Sequence, residues 1–322
     1  MVNIFIFIGL VPLLYIVVNN LFIARKYVVH SKGIILITGA STGIGRHAAE
    51  YLSRKYPAYL ILAGVRKDTD ADTISQLNIK NLSPIKIDVS SHESVVAAVE
   101  FVKETSVQSK LPLIAIVNNA GISRSSPAEY HDIGDAKRVF DTNFFGVLDL
   151  VQQTLPLLRE SKGRIIMISS IAGLIGRPLS SIYTASKFAL EGFSDSLRRE
   201  VAAFDISVSI IEPAFVRTPI FDKIASVSTH KIEDQISKSS NDPAVIHYEQ
   251  LITKSAAKKK AMVAKASEPI VTSEAIEDAV VNEYPKTRYA VANANGMPAA
   301  VGVWLSWLTP DRLEDFIMAK LF

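Results

Sequence analysis

Tyr183 and Lys187 are four residues apart, so on a helix they share one face. A phenol exchanges protons poorly at neutral pH, because its ordinary pKa is about 10. A neighbouring cation favours the phenolate and brings the group into range. The pair therefore suits proton transfer to or from an oxygen, as general acid in one direction and general base in the other. Alone, a Y-x-x-x-K spacing is also what an amphipathic helix produces by accident. Two further features give it company. Ser169 and Ser170 end an apolar run, and strand alternation points their side chains to opposite faces. Thr38-Gly39-Ala40-Ser41-Thr42-Gly43-Ile44-Gly45 follows another apolar run and opens a helical stretch. Glycines there let the backbone turn tightly and approach a pyrophosphate, and a helix N-terminus offers free N–H groups and a positive dipole end.

These residues need a scaffold, and the chain shows one from Gly33 onward. Ile34–Thr38, Tyr59–Ala63, Pro84–Val89, Ile114–Asn118, Arg164–Ser169 and Ser207–Ile211 read as short buried parallel strands, rich in Ile and Val. Ile44–Lys55, Glu93–Glu104, Ala136–Arg159 and Tyr183–Ala203 read as the helices between them. The alternation predicts an α/β fold, a Rossmann-type doubly wound parallel sheet with helices on both faces. Arg288–Ala292 reads as a final strand. The region from about 219 to 285 is expected to cover the substrate side, within a single domain spanning 31–322. Ala299–Leu308 carries Trp304 and Trp307 on an apolar stretch, read as core, with a membrane-facing surface as the alternative.

The first 26 residues are a separate matter. Val2 to Val18 is almost wholly apolar, and Arg25, Lys26 and Lys32 follow it. Basic residues after the stretch, without a small-residue cleavage site, argue against a removed signal peptide. The length approaches the roughly 20 residues that span a bilayer. The expectation is an N-terminal hydrophobic anchor with the main domain on the cytosolic side of an intracellular membrane such as the endoplasmic reticulum. Pro12 and the Asn19–Asn20 pair leave a monotopic insertion as the rival.

Composition narrows the chemistry. The 322 residues are 48% apolar and carry a formal charge of +3, too mild for a dedicated nucleic-acid binder. No cysteine is present, and the six histidines form no ligand pair, so no metal site is expected.

In order and spacing the motifs resemble the short-chain dehydrogenase/reductase family, over roughly Gly33 to Thr218, and are similar to its membrane-anchored hydroxysteroid and retinol dehydrogenases. The T-G-x-x-x-G-x-G turn is one match, with Gly39, Ser41, Thr42, Gly43, Ile44 and Gly45 at the cofactor. Asp88-Val89 falls where the family contacts adenine. Asn118-Asn119-Ala120-Gly121 falls where it supports the sheet and lines the adenine ribose. Ser170, thirteen residues before Tyr183, is the serine that the family spacing selects to hold the substrate oxygen. Asn143 matches the helix asparagine that supports a water leading to the lysine. Lys187 is implied to bond the nicotinamide ribose as well as to lower the Tyr183 pKa. Pro213 to Thr218, including Val216, matches the P-G-x-x-x-T segment beside the nicotinamide, with Ala214 in place of glycine. That alanine is tolerated if its φ is negative and strained otherwise.

The resemblance implies hydride transfer between a nicotinamide cofactor and a carbonyl or alcohol, and a homodimer through the helices holding Asn143 and Tyr183. An acid ending the second strand would bind the adenine ribose hydroxyls and repel a 2′-phosphate. Here the sequence is Ala63-Gly64-Val65-Arg66-Lys67, and Arg66 suits a phosphate. NADP(H) is expected, with NAD(H) as the alternative, since Asp68 and Asp70 follow and the glycine-rich turn holds no basic residue. An anchor, with Phe215, Ile220, Phe221 and Ile224 near the site, points to a small lipophilic substrate such as a steroid, retinoid or other lipid. The competing reading is a non-catalytic NADP(H)-binding, redox-sensing component of a membrane complex.

Overall fold

The computed structural model describes residues 24–219, 243–294 and 297–321. Seven strands form one sheet: β1 (Gly33–Ile37), β2 (Tyr59–Val65), β3 (Leu82–Lys86), β4 (Leu113–Asn118), β5 (Arg164–Ile168), β6 (Ser207–Pro213) and β7 (Arg288–Val291). Their order is β3-β2-β1-β4-β5-β6-β7, and every neighbouring pair is parallel. The chain reverses direction across the sheet between β1 and β4, which opens a crevice at the strands' carboxyl ends.

The β1 sequence shows why both faces are covered. Ile34, Ile35, Leu36 and Ile37 are all withdrawn from water, each worth roughly 1.5–3 kcal/mol of apolar burial. Ile34 and Leu36 face a core completed by α3 (His92–Ser109), α5 (Gly146–Ser161) and α6 (Ser181–Glu200). Ile35 and Ile37 face the other core, completed by α1 (Gly43–Lys55), α2 (Asp68–Ser75) and α8 (Ile270–Val281). Between these lie α4 (Ile133–Phe140) and α7 (Pro243–Ala264), and α9 (Ala299–Leu308) and α10 (Asp311–Leu321) end the chain.

The structure revises several boundaries. The third strand begins and ends earlier than its apolar run suggests, leaving Asp88 and Val89 in the loop that follows. The helix expected over Ala136–Arg159 is α4 and α5 joined by a π turn at Asp141–Phe145, a distortion that often marks functional sites. The helix expected over Tyr183–Ala203 is α6 followed by a 3₁₀ turn, Val201–Phe204. Helix α2 has no strong apolar period and is an addition. The region expected over the substrate side divides in two. Helix α7 borders the cleft, whereas α8 packs on the sheet with Ala275, Ile276, Ala279 and Val280 in the core.

The Val2–Val18 stretch and Ile220, Phe221 and Ile224 lie outside the described residues. Among the described residues no helix is long and apolar enough to cross a membrane.

Candidate active site

The crevice at the strand ends is a cleft of about 690 Å³. One end is built from backbone. After β1, Gly39 and Gly43 adopt φ of +65° and +63°, a region that costs other residues a steric penalty. A Cβ on Gly39 would also come within 2.8 Å of the Ala120 Cα. Thr42 precedes α1 in an extended conformation and makes no side-chain cap, and no acid occupies the first turn. The first N–H groups of α1 are thereby left for a ligand. Asn119 Nδ2 donates to the carbonyls of Thr38 (2.8 Å) and Gly39 (3.1 Å), while Thr38 Oγ1 accepts from the N–H groups of Asn119 and Ala120, each at 3.0 Å. Gly39, Ser41, Thr42, Gly43 and Ile44 line the cleft. Gly45 stands one step back, where any Cβ would collide with the Asn119 amide.

Next along the cleft come Arg66, Asp88, Val89, Asn119, Ala120 and Gly121. Arg66 is exposed and has no carboxylate partner among the described residues, because Lys86 takes Asp68 at 2.6 Å. The Asp88 carboxylate accepts from the Ser90 N–H (3.0 Å) and hydroxyl (2.6 Å). These glycine-lined walls and free helix N–H groups fit a dinucleotide.

The other end holds Ser170, Tyr183 and Lys187. Ser169 and Ser170 diverge as strand alternation requires. Ser169 is buried beside Gly173 and Glu191, while Ser170 opens on the cleft, accepting from the Ala172 N–H at 3.1 Å. Tyr183 lies in the first turn of α6 and Lys187 one turn on. Burial raises the Tyr183 phenol above its ordinary value, opposed by a hydrogen bond with Ser170 and by the Arg177 charge. The resemblance makes Lys187 the group that lowers this phenol. Its Nζ instead donates to the Ile168 carbonyl at 2.8 Å and lies 5.9 Å from the phenol ring centre. Burial brings the Lys187 ammonium down to about 8, against the opposing charge of Glu191. Behind the lysine, Arg288 joins Glu191, Glu212 (2.7 Å) and Asp195 (2.8 Å). Burial and the neighbouring Glu191 push the Glu212 carboxyl up to about 7.

Asn143 sits in the π turn and is wholly buried. Its Oδ1 accepts from the Ile122 N–H, and its Nδ2 donates to the Ile122 carbonyl (both 2.9 Å) and to Ser186 Oγ (3.0 Å). The side chain therefore clamps the loop after β4 and makes no bond to Lys187. Pro213, Val216 and Thr218 line the cleft opposite. Val216 bridges to Ser267. Thr218 closes over Gly43, so that a Cβ added to this glycine would meet it at 3.3 Å.

Residues 33–228 match the family model described as short chain dehydrogenase. This chain belongs to the short-chain dehydrogenases. It is 35% identical to 3-amino-tetrahydro-pyrrolizinone reductase of Xenorhabdus hominickii over 204 residues, 63% of this chain and 68% of that one. It is 30% identical to retinol dehydrogenase 16 of Rattus norvegicus over 275 residues, 84% of each. A short chain dehydrogenase/reductase from Burkholderia phymatum, solved in complex with NAD, is similar with a TM-score of 0.55 and 25% identity, over 62% of this chain and 71% of that one. As a short-chain dehydrogenase the chain is an oxidoreductase acting on CH–OH groups with NAD(P).

In this dehydrogenase Ala214 is absent from the residues with left-handed φ, and its N–H donates to Val291 at 3.0 Å. The alanine thus causes no backbone strain. Sequence reading misses Arg177 and Leu179, which line the cleft. Neither belongs to a motif or a periodic pattern, so no local signal announces them.

Proposed function

We propose that this enzyme transfers hydride between NADP(H) and a lipophilic carbonyl or alcohol, with a steroid, retinoid or other lipid as the substrate class. The observation that carries the reading is the convergence of Ser170, Tyr183 and Lys187 on one end of a cleft whose other end is the glycine-lined turn. Gly39, Ser41, Thr42, Gly43 and Ile44 would hold the pyrophosphate, Asp88 and Val89 the adenine, and Arg66 a 2′-phosphate. The nicotinamide, when bound, supplies or accepts the hydride. Ser170 orients the substrate oxygen. Tyr183 gives its proton to that oxygen in reduction and takes it back in oxidation. Because burial raises the phenol, the proton to be given in reduction is in place throughout the neutral range. Lys187, charged below about pH 8, stabilises the phenolate left behind and bonds the cofactor ribose. Asn143 is a positioning residue that fixes Ile122, whose neighbour Gly121 lies beside Lys187.

The lipophilic class is supported by Phe215, Leu179 and Met262 on the cleft wall and by the name of the rat relative. An intracellular membrane location, held by the N-terminal apolar stretch, is consistent with it. A homodimer through the helices holding Asn143 and Tyr183 belongs to the same reading, with Phe145 exposed there.

The test is a screen of the purified full chain in detergent, with NADPH and NADH against lipid ketones, aldehydes and alcohols. Tyr183→Phe should lower kcat by about 1,000-fold and leave the NADPH Kd within about twofold. Near-normal turnover in that variant would overturn the reading.

A further inference from the structure

Six of the described arginines are withdrawn at least partly from solvent, and five of them are partnered, Arg46 by Glu50, Arg124 by the Ser123 carbonyl and Arg198 by Asp195 among them. Arg164 donates to the carbonyls of Ala279 (3.0 Å), Asn282 (2.7 Å) and Val28 (2.8 Å). Arg288 faces Glu191, Glu212 and Asp195. Arg177 is the exception. The residue is half-buried, and its guanidinium lies 5.2 Å from the Phe215 ring centre. Among the described residues it has neither a carboxylate within ion-pair distance nor a hydrogen bond from its five N–H groups. A cation partly withdrawn from water and without a counter-charge attracts an anion into the cleft. Burial lowers the guanidinium from its ordinary value, with the nearby Tyr183 opposing.

The loop that presents Arg177 is held in place. Leu179, two residues on, has a φ of +63°, a conformation that a bulky residue keeps only when its surroundings enforce it. Its carbonyl accepts from the Ser126 N–H at 3.0 Å, and the Arg177 carbonyl accepts from the Ser180 N–H at 3.3 Å. Arg177 stands where the Tyr183 cleft meets an adjoining cavity of about 760 Å³. That cavity has Leu174, Phe188 and Met318 on its walls and the acids Asp311, Glu314 and Asp315 on its α10 side. An anion is repelled from those acids and drawn to the cations of the lining, Lys254 in the cavity and Arg177 at the junction, of which Arg177 stands beside Tyr183.

We propose that Arg177 is a specificity-determining residue that binds a carboxylate of the substrate, so that the preferred substrates are lipophilic oxo or hydroxy acids rather than neutral lipids. A planar guanidinium takes a carboxylate through two parallel hydrogen bonds. The inference rests on the proposed hydride-transfer reading and adds the anionic group to it.

The test compares kcat/KM, with NADPH, for a medium-chain γ-oxo fatty acid and its methyl ester. The wild type should prefer the acid by about tenfold or more, through a lower KM. In Arg177→Met the acid-to-ester ratio should fall to about one, and Arg177→Lys should keep part of it. Because the readout is a ratio, a general loss of activity in a variant leaves it interpretable. As a measurement on unaltered protein, octanoate should compete with the ester about tenfold more tightly than octanol does. An acid-to-ester ratio near one in the wild type, or an undiminished ratio in Arg177→Met, would overturn the inference and leave the hydride-transfer reading standing. Turnover of neutral ketones but of neither member of the pair would do the same. Failure of every carbonyl and alcohol, with Tyr183→Phe indistinguishable from wild type, would overturn both.

Discussion

The two ends of the cleft are built on different rules. At the dinucleotide end the wall is backbone, and each turn is fixed by another. Thr38 and Asn119 lace the loop after β1 to the loop after β4 through four hydrogen bonds of 2.8–3.1 Å. At the substrate end the wall is made of side chains from separate segments. Arg177 and Leu179 come from the loop before α6, Phe215 from the strap after β6, and Met262 from α7. A backbone wall recognises what all dinucleotides share, whereas side-chain walls can change one residue at a time without disturbing the sheet. The first end therefore suits a shared cofactor, and the second is where substrate preference can vary.

The largest expected effect attacks the backbone end. Gly39→Val places a β-branched residue at φ +65° with its Cβ 2.8 Å from the Ala120 Cα. The NADPH Kd, measured by fluorescence titration, should weaken by about 100-fold. Binding within about threefold of wild type would break the contrast between the two ends, since side chains would then be enough to hold the cofactor.

A second prediction probes the junction where the ends meet. Lys187 is charged below about pH 8 and neutral above it, so under the proposed mechanism the phenolate would lose its cationic support as pH rises. For ketone reduction at saturating NADPH, kcat/KM should fall about tenfold for each pH unit above about 8. The Tyr183 phenol, raised by burial, should add no descending limb at neutral pH. A rate that stays flat well above pH 8 would remove Lys187 from the chemistry.

The smallest effect concerns an exposed side chain of the dinucleotide end. Arg66 is exposed and without a carboxylate partner among the described residues. Arg66→Ser should reduce the ratio of kcat/KM for NADPH over NADH by about tenfold and leave NADH turnover within about twofold. An unchanged ratio would assign the 2′-phosphate to some other group, Lys67 being the neighbour on the cleft wall.

Legibility in the sequence follows the same division. The strand–helix alternation is readable because buried parallel strands are continuous apolar runs. The glycine-rich turn is readable because its conformation is local and demands particular residues. The Ser169/Ser170 choice is readable from alternation together with family spacing. The π turn at Asn143 is not, because its residues also suit an ordinary helix, and only the clamp on Ile122, 21 positions away, shows what the distortion accompanies. The place of α8 is hidden too. Its apolar residues suit a cover or a core equally well, and contact with α1 and the sheet decides between them.

The sequence by itself determined the alternation of strands and helices, the glycine-rich turn and the Tyr183–Lys187 spacing on one helix face, because each depends on residues close along the chain. The tertiary structure alone decided that Lys187 bonds Ile168, that Asn143 clamps Ile122, and that Arg177 stands unpaired beside Tyr183. Each of these is set by which segments meet in space and by what burial does to a charge, and neither is written in local spacing.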